Sequence, residues 1–136
     1  MEKILHGRKV VGGKAKGVAL VTGEPICFLG GIDVKTGTVT EVGHPLYGQC
    51  IAGKVLVFPT GKGSTGGSYL IYEAVNNGVG PCAMINRAVE QVTVIGCIIS
   101  EIPMLDRLDS DPVTAIKTGD VVEVNADEGT LKVVSA

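Results

Sequence analysis

Between Pro59 and Tyr69 the chain reads PTGKGSTGGSY, which crowds four glycines, Lys62 and the hydroxyls of Ser64, Thr65 and Ser68 into one short stretch. Three kinds of chemistry use such a stretch. Glycines let several backbone N–H groups converge, and a following helix adds the positive end of its dipole, so an anion can be cradled there. The same donors can stabilise a serine alkoxide, which makes Ser64, with Lys62 close by, a candidate base. The plainest alternative is a turn in which Ser64 or Ser68 caps the helix. Ser68 is the better placed cap, and that leaves Ser64 and Thr65 free.

Two common motifs are poor fits. The nucleotide loop G-x-x-x-x-G-K-[ST] would need glycine where Leu56 stands and a hydroxyl where Gly63 stands. A Ser-His-Asp triad has no histidine nearby in sequence, since the chain holds only His6 and His44.

The loop must be positioned by what flanks it. Gly53 to Phe58 is a continuous apolar run of the length expected for a strand buried on both faces. Ser68 to Asn77 reads as a short helix: Tyr69, Leu70, Tyr72 or Glu73 and Val75 fit an amphipathic pattern, and Asn77-Gly78 is the stop. Residues 81–85, PCAMI, read as the next buried strand. Strand, loop, helix, strand implies a parallel pair with a crossover helix, and ligands of α/β sheets gather at the carboxyl ends of such strands.

The ends read differently. Residues 120–125 and 130–134 form an alternating hairpin around Ala-Asp-Glu-Gly129, and residues 33–39 form a smaller hairpin or edge piece. Gly17 to Thr22 is a short strand, Ile26 to Leu29 an apolar piece running into a Gly30-Gly31 turn, and His44 to Gly48 a loop. Val92–Ile95 and Cys97–Ile99 are further short apolar pieces. The fold class is therefore α/β: a mixed sheet with antiparallel β elements and a central strand-loop-helix-strand unit, in one domain over residues 1–136.

Composition narrows the function classes. A chain of 136 residues with 45% hydrophobic residues, 20 glycines and a net charge of −2 is a folded domain with many turns and no basic stripe. With two Phe, three Tyr and no Trp, stacking platforms for single strands are thin, so nucleic acid is not expected. No apolar run reaches the roughly 20 residues of a membrane span. The start, MEKILHGRKVVGG, lacks the sustained apolar segment of a signal peptide. Cys27, Cys50, Cys82 and Cys97 form no CxxC pair and do not read as a metal site. Free, mostly buried thiols in a reducing cytoplasm are the expectation.

Beyond these readings, five collinear segments carry a resemblance: FLGGID (28–33), HPLYG (44–48), IAGKVLVFPTGKGSTGGSY (51–69), NNGVGPCAMINRAVE (76–90) and GCIISEIPMLDRLD (96–109). Together they resemble the small subunits of the aconitase X group. The resemblance implies a swivelling β/β/α domain that works with a large partner subunit in a hydro-lyase dehydrating small hydroxy acids. It also implies an iron or iron–sulfur centre in that partner, with no cofactor or metal held by this chain. One branch converts 5-phosphomevalonate to trans-anhydromevalonate 5-phosphate in the mevalonate route to isoprenoids; another acts on cis-3-hydroxy-L-proline. The Ser-Thr-Gly-Gly-Ser-Tyr tail and the Pro-Met-Leu-Asp-Arg end lean toward the first branch.

The family's catalytic serine falls on Ser64. The resemblance and the loop agree there, because a serine removes a carbon-bound proton only where amides, a helix terminus and a cation stabilise its alkoxide. Gly63, Thr65, Gly66 and Lys62 are the candidates for binding substrate or steadying that base, against the alternative of a solvated loop lysine at 62. Arg87 and Arg107 can reach a carboxylate or phosphate, although arginines usually sit on the surface. His44 reads as a loop residue. Two rival classes stand beside this reading. The ending, Ile102-Pro-Met and then Lys117 to Leu131, is similar to the terminal strand and hairpin of the phosphohistidine carrier domains, but Tyr69 follows Gly-Gly-Ser where the carrier histidine would stand. A non-catalytic binding module is the other.

Overall fold

The structure is a computed structural model and describes residues 2–62 and 66–135. Its strands are β1 (Glu2–His6), β2 (Arg8–Val11), β3 (Lys14–Val21), β4 (Ile32–Asp33), β5 (Thr38–Val39), β6 (Val55–Phe58), β7 (Ala83–Asn86), β8 (Met104–Asp106), β9 (Val121–Asn125) and β10 (Thr130–Val134). Its helical segments are α1 (Phe28–Gly31), α2 (Gly67–Asn76), α3 (Gln91–Ser100) and α4 (Pro112–Ala115). Eight strands form one sheet in the order β1-β10-β9-β3-β6-β7-β8-β2, and β4 and β5 form the small hairpin expected around Gly37.

β3 joins two halves of that sheet. Its first residues, Lys14 to Val18, pair antiparallel with β9, and its last, Ala19 to Val21, pair parallel with β6. On one side of β3 lies an antiparallel half, β1-β10-β9. On the other lie the parallel strands β6, β7 and β8, closed by antiparallel β2. Leu5, Val122, Val124 and Leu131 of the first half share a buried cluster with Val57 and Ile85 of the second. Leu56, Phe58, Met84 and Met104 face the other way and pack with Ile71 of α2 and Cys97 of α3. The layers are thus sheet, sheet and helices. Alternate residues of β6 enter different clusters, and all four are buried, which is why its sequence is apolar without a break.

Three expectations about local structure are corrected. The β-branched pieces around 92–99 form one helix, α3. Glu90 caps it by accepting from Val92 N (2.6 Å) and Thr93 N (3.1 Å), and Thr93, Gly96 and Cys97 turn inward. Capping and burial of one face override the weak helix propensity of Val, Ile and Thr. α2 buries Gly67, Ile71 and Ala74; of the residues expected to form its apolar pattern, Leu70 and Val75 pack partly buried against the same core, whereas Tyr69 and Tyr72 point outward. Ser68 does not cap α2. Gly66 stands at the N-cap, and the Ser68 hydroxyl donates to Val92 O at 2.5 Å, tying α2 to α3.

The opening residues, read only as lacking a signal, supply both sheet edges: β1 pairs with β10 and β2 with β8. Of the four free cysteines only Cys97 is buried; Cys50 is exposed, and Cys27 and Cys82 are intermediate. Burial pushes the Cys97 thiol up to about 12 and raises that of Cys82, so neither is a ready nucleophile.

Candidate functional site

The glycine-rich segment leaves the carboxyl end of β6, and each of its ends is held by the fold. Arg87 N and Ala88 N both point to Pro59 O (3.0 and 3.4 Å), and the Asn86 Nδ2 donates to Phe58 O at 3.1 Å. Ile26 runs parallel to Gly61: Ile26 N donates to Thr60 O, and Lys62 N donates to Ile26 O at 3.0 Å. Gly61 sits where only glycine fits. A Cβ there would collide with the Thr93 hydroxyl and come within 2.7 Å of Glu90 Oε1, the pair that caps α3. At the far end Gly67 packs against Val92 and Phe28, and Gly66 lies beside Leu29. With glycine at the N-cap, no cap side chain competes for the first-turn amides of α2, and an anion or alkoxide could use them.

Gly63, Ser64 and Thr65 lie outside the described residues; their neighbours on both sides do not. Lys62 is exposed, and its Nζ stands 3.2 Å from Glu41 Oε2. Both line an open depression of about 450 Å³ with Cys27, Leu29, Gly30 and Gly31. Gly30 has φ +82°, so the expected backbone turn is there, at an irregular kink inside α1. Loop 44–48 braces this wall. His44 is buried, its Nδ1 accepts from Leu46 N at 3.1 Å and its Nε2 lies 3.1 Å from Pro25 O. That is a structural role, as expected of a loop histidine.

Arg87 follows β7 beneath Pro59 and donates through Nε to Asp111 Oδ1 at 2.9 Å. Hydrogen bonding to Asp111 raises the Arg87 pKa further, and the guanidinium holds the Asp111 carboxyl below its usual range. Asp111 also caps α4 through Val113 N, so Arg87 is partly committed to the scaffold. Arg107, with a left-handed backbone at φ +51°, lies 4.0 Å from Asp106 and is largely exposed.

The strand ends carry polar residues that the sequence reading did not single out. Asn86 and Asp106 close β7 and β8. Asp106 is fully buried, takes both Nε and a terminal nitrogen of Arg8 (2.8 and 2.7 Å), and accepts from Val89 N at 3.1 Å. Asn86 is also fully buried, and its Oδ1 has no hydrogen-bond partner among the described residues. Glu41 was missed because its partner is 21 residues away. Glu90 and Thr93 had a local signal, a capping residue three before an inward hydroxyl, hidden because the segment was read as strand-like. Among the described residues no group of three or more His, Cys, Asp or Glu side chains is placed to hold a metal ion.

A three-layered β/β/α arrangement with a glycine-rich loop at the carboxyl ends of its parallel strands is that of a swivelling domain. Residues 4–133 match the family described as the aconitase X swivel domain, and the chain belongs to that family. It is 52% identical over 128 residues to the phosphomevalonate dehydratase small subunit of Methanocella arvoryzae, covering 94% of this chain and 97% of that protein. It is 50% identical over 129 residues to the protein of that name from Thermococcus gammatolerans, covering 95% and 96%. Among solved structures, it superposes on a chain of Thermococcus kodakaraensis aconitase X in its holo form with TM-score 0.92 and 48% identity, covering 98% and 99%.

Proposed function

We infer that this chain is the small subunit of a phosphomevalonate dehydratase, active only with a large partner subunit, to which it brings Ser64 as general base. The observation that supports the reading is the anchoring of the described residues on either side of Ser64 in sequence: Pro59 to Lys62 are held by β7, α3 and the Ile26 bridge, and Gly66 and Gly67 open α2. The names and near full-length coverage of the relatives support the subunit assignment and the substrate.

In this reading the Ser64 alkoxide takes the proton from the carbon beside the substrate carboxylate. The C–H electron pair becomes the new carbon–carbon double bond, and the hydroxyl on the neighbouring carbon leaves as hydroxide. The amides of the glycine segment and of α2, with Lys62, stabilise the negative oxygen before the proton arrives. Gly63, Thr65 and Gly66, neighbours of Ser64 in sequence, are the candidates for substrate contact or for steadying the base, and Arg87 is the second candidate for a substrate anion. The iron or iron–sulfur centre that the family resemblance implies is assigned to the large subunit, where it would assist departure of hydroxide; the described residues here do not fit one. Four free cysteines suit a reducing cytoplasm.

The test is co-expression with the large subunit and an assay of water elimination from 5-phosphomevalonate and from cis-3-hydroxy-L-proline. Turnover of the phosphorylated substrate, falling by at least roughly 10²-fold in Ser64→Ala while the subunits still co-purify, is the expected result. Turnover of the proline alone would move the protein to the other branch, and turnover surviving Ser64→Ala would remove Ser64 as the base.

A further inference from the structure

We propose that Glu41 is a positioning residue for the dehydration: its carboxylate holds the Lys62 ammonium beside the serine-bearing segment. The proposal rests on the functional reading above and adds a residue that the reading does not contain.

The two side chains meet because two separate pieces of backbone are fixed. Lys62 N donates to Ile26 O at 3.0 Å, so the lysine leaves the chain from a pinned point. Glu41 follows the small β4–β5 hairpin, where Thr40 N donates to Gly31 O at 2.9 Å and His44 N to Glu41 O at 3.2 Å. The turn after it is fastened by His44 through Pro25 O. Glu41 Oε2 then reaches Lys62 Nζ at 3.2 Å. The other oxygen, Oε1, lies on the Gly31 side, about 3.5 Å from where a Cβ of that residue would stand. Gly30 supplies the turn that brings this wall of the depression round.

Such an arrangement adds little to folding. The lysine side chain is 50% exposed and the glutamate 32%, and ion pairs of that exposure contribute little to stability. Orientation is where the pair has leverage. An unpaired lysine on four rotatable bonds samples a wide volume, whereas one tethered to Glu41 keeps its charge at the mouth of the depression formed with Cys27, Leu29 and the two glycines. A cation fixed before the alkoxide forms need not be reoriented during the reaction, which is the condition for effective electrostatic stabilisation. Glu41 itself has no need to touch the substrate.

The experiment uses the complex of both subunits, with Glu41→Gln, Glu41→Asp, Lys62→Met and the double variant Glu41→Gln/Lys62→Met. Glu41→Gln is expected to lower kcat about tenfold or more, because a misplaced catalytic group costs up to about 10²-fold. KM should stay within about twofold, and the melting temperature of the complex should move by less than about 2 °C. Glu41→Asp should restore part of kcat. In the Lys62→Met background the Glu41 change should add nothing, since its effect passes through the lysine. A kcat within twofold of wild type for Glu41→Gln, or a double variant slower than Lys62→Met by the full Glu41 factor, would overturn the assignment. If both hold for wild type and Ser64→Ala as expected, such a result sinks Glu41 alone. A wild-type complex without turnover would sink the functional reading and this proposal with it.

Discussion

The two halves of the sheet share β3 yet are built on opposite terms. The parallel half is closed on both faces: β6 and β7 are buried throughout, with one side toward the antiparallel layer and the other toward α2 and α3. The antiparallel half is covered on one face only, and β9 and β10 alternate between buried and partly exposed residues along their length. Its outer face also forms a depression of about 450 Å³, lined among others by Lys14, Lys16, Glu123 and Lys132. The charges there answer one another, Lys16 to Glu123 at 3.7 Å and Lys132 to Glu2 at 3.1 Å. In the parallel half the strands end in Asn86 and buried Asp106, and the chain leaves through glycine. Volume and charge therefore do not mark the candidate site. Strand direction does, because parallel strands deliver all their carboxyl ends, and the helix N-termini after them, to one edge.

The comparison can be broken from the strongest effect downward. Leu56→Ala removes a fully buried side chain from the parallel half, and urea unfolding should show a loss of about 3 kcal/mol. A loss under about 1 kcal/mol would mean that this half is not the rigid frame described above. Gly61→Ala comes next. Its methyl would strike the Thr93 hydroxyl and Glu90, so a loss of about 1–3 kcal/mol is expected in the same assay. A fall in turnover of the assembled enzyme should accompany it, since the serine segment starts at that point. Unchanged stability and unchanged turnover together would show that the clamp between β6 and α3 is dispensable. The smallest effect should be Lys16→Gln on the open antiparallel face, within about 0.5 kcal/mol of wild type and without effect on turnover. A large loss of activity there would move attention to the wrong-looking depression.

How much of this was legible depends on the range of the interactions. Val55–Phe58 and Ala83–Asn86 are dense apolar runs, and the 121–134 hairpin alternates, so each declares itself within a few residues. The sequence misleads over α3 because Val, Thr and Ile favour strands locally, and only the Glu90 cap and the inward packing of Thr93 against Gly61, Gly96 against Ile71 of α2 and Cys97 against Met84 of β7 overcome that preference. β1 and β2 are short, charged edge strands whose identity comes from partners more than a hundred residues away in β10 and within the last third of the chain in β8. Leu70 and Val75 of α2 pack inward as expected but Tyr69 and Tyr72 do not, for a related reason: the helix packs chiefly through Gly67, Ile71 and Ala74, small or aliphatic residues, with Gly67 against Val92 and Ile71 against Gly96 of α3.

By itself, the sequence determined that an α/β domain carries a glycine-rich, serine-bearing loop between a buried strand and a helix, and its motifs pointed to the aconitase X group. Those features are local, set by side-chain type and spacing. Tertiary structure alone decided that Gly61 must be glycine because Glu90 and Thr93 press on it, that Arg87 answers Asp111, and that Lys62 is met by Glu41. Each of these depends on where separate segments come to rest, and contacts between segments leave no periodicity in either one.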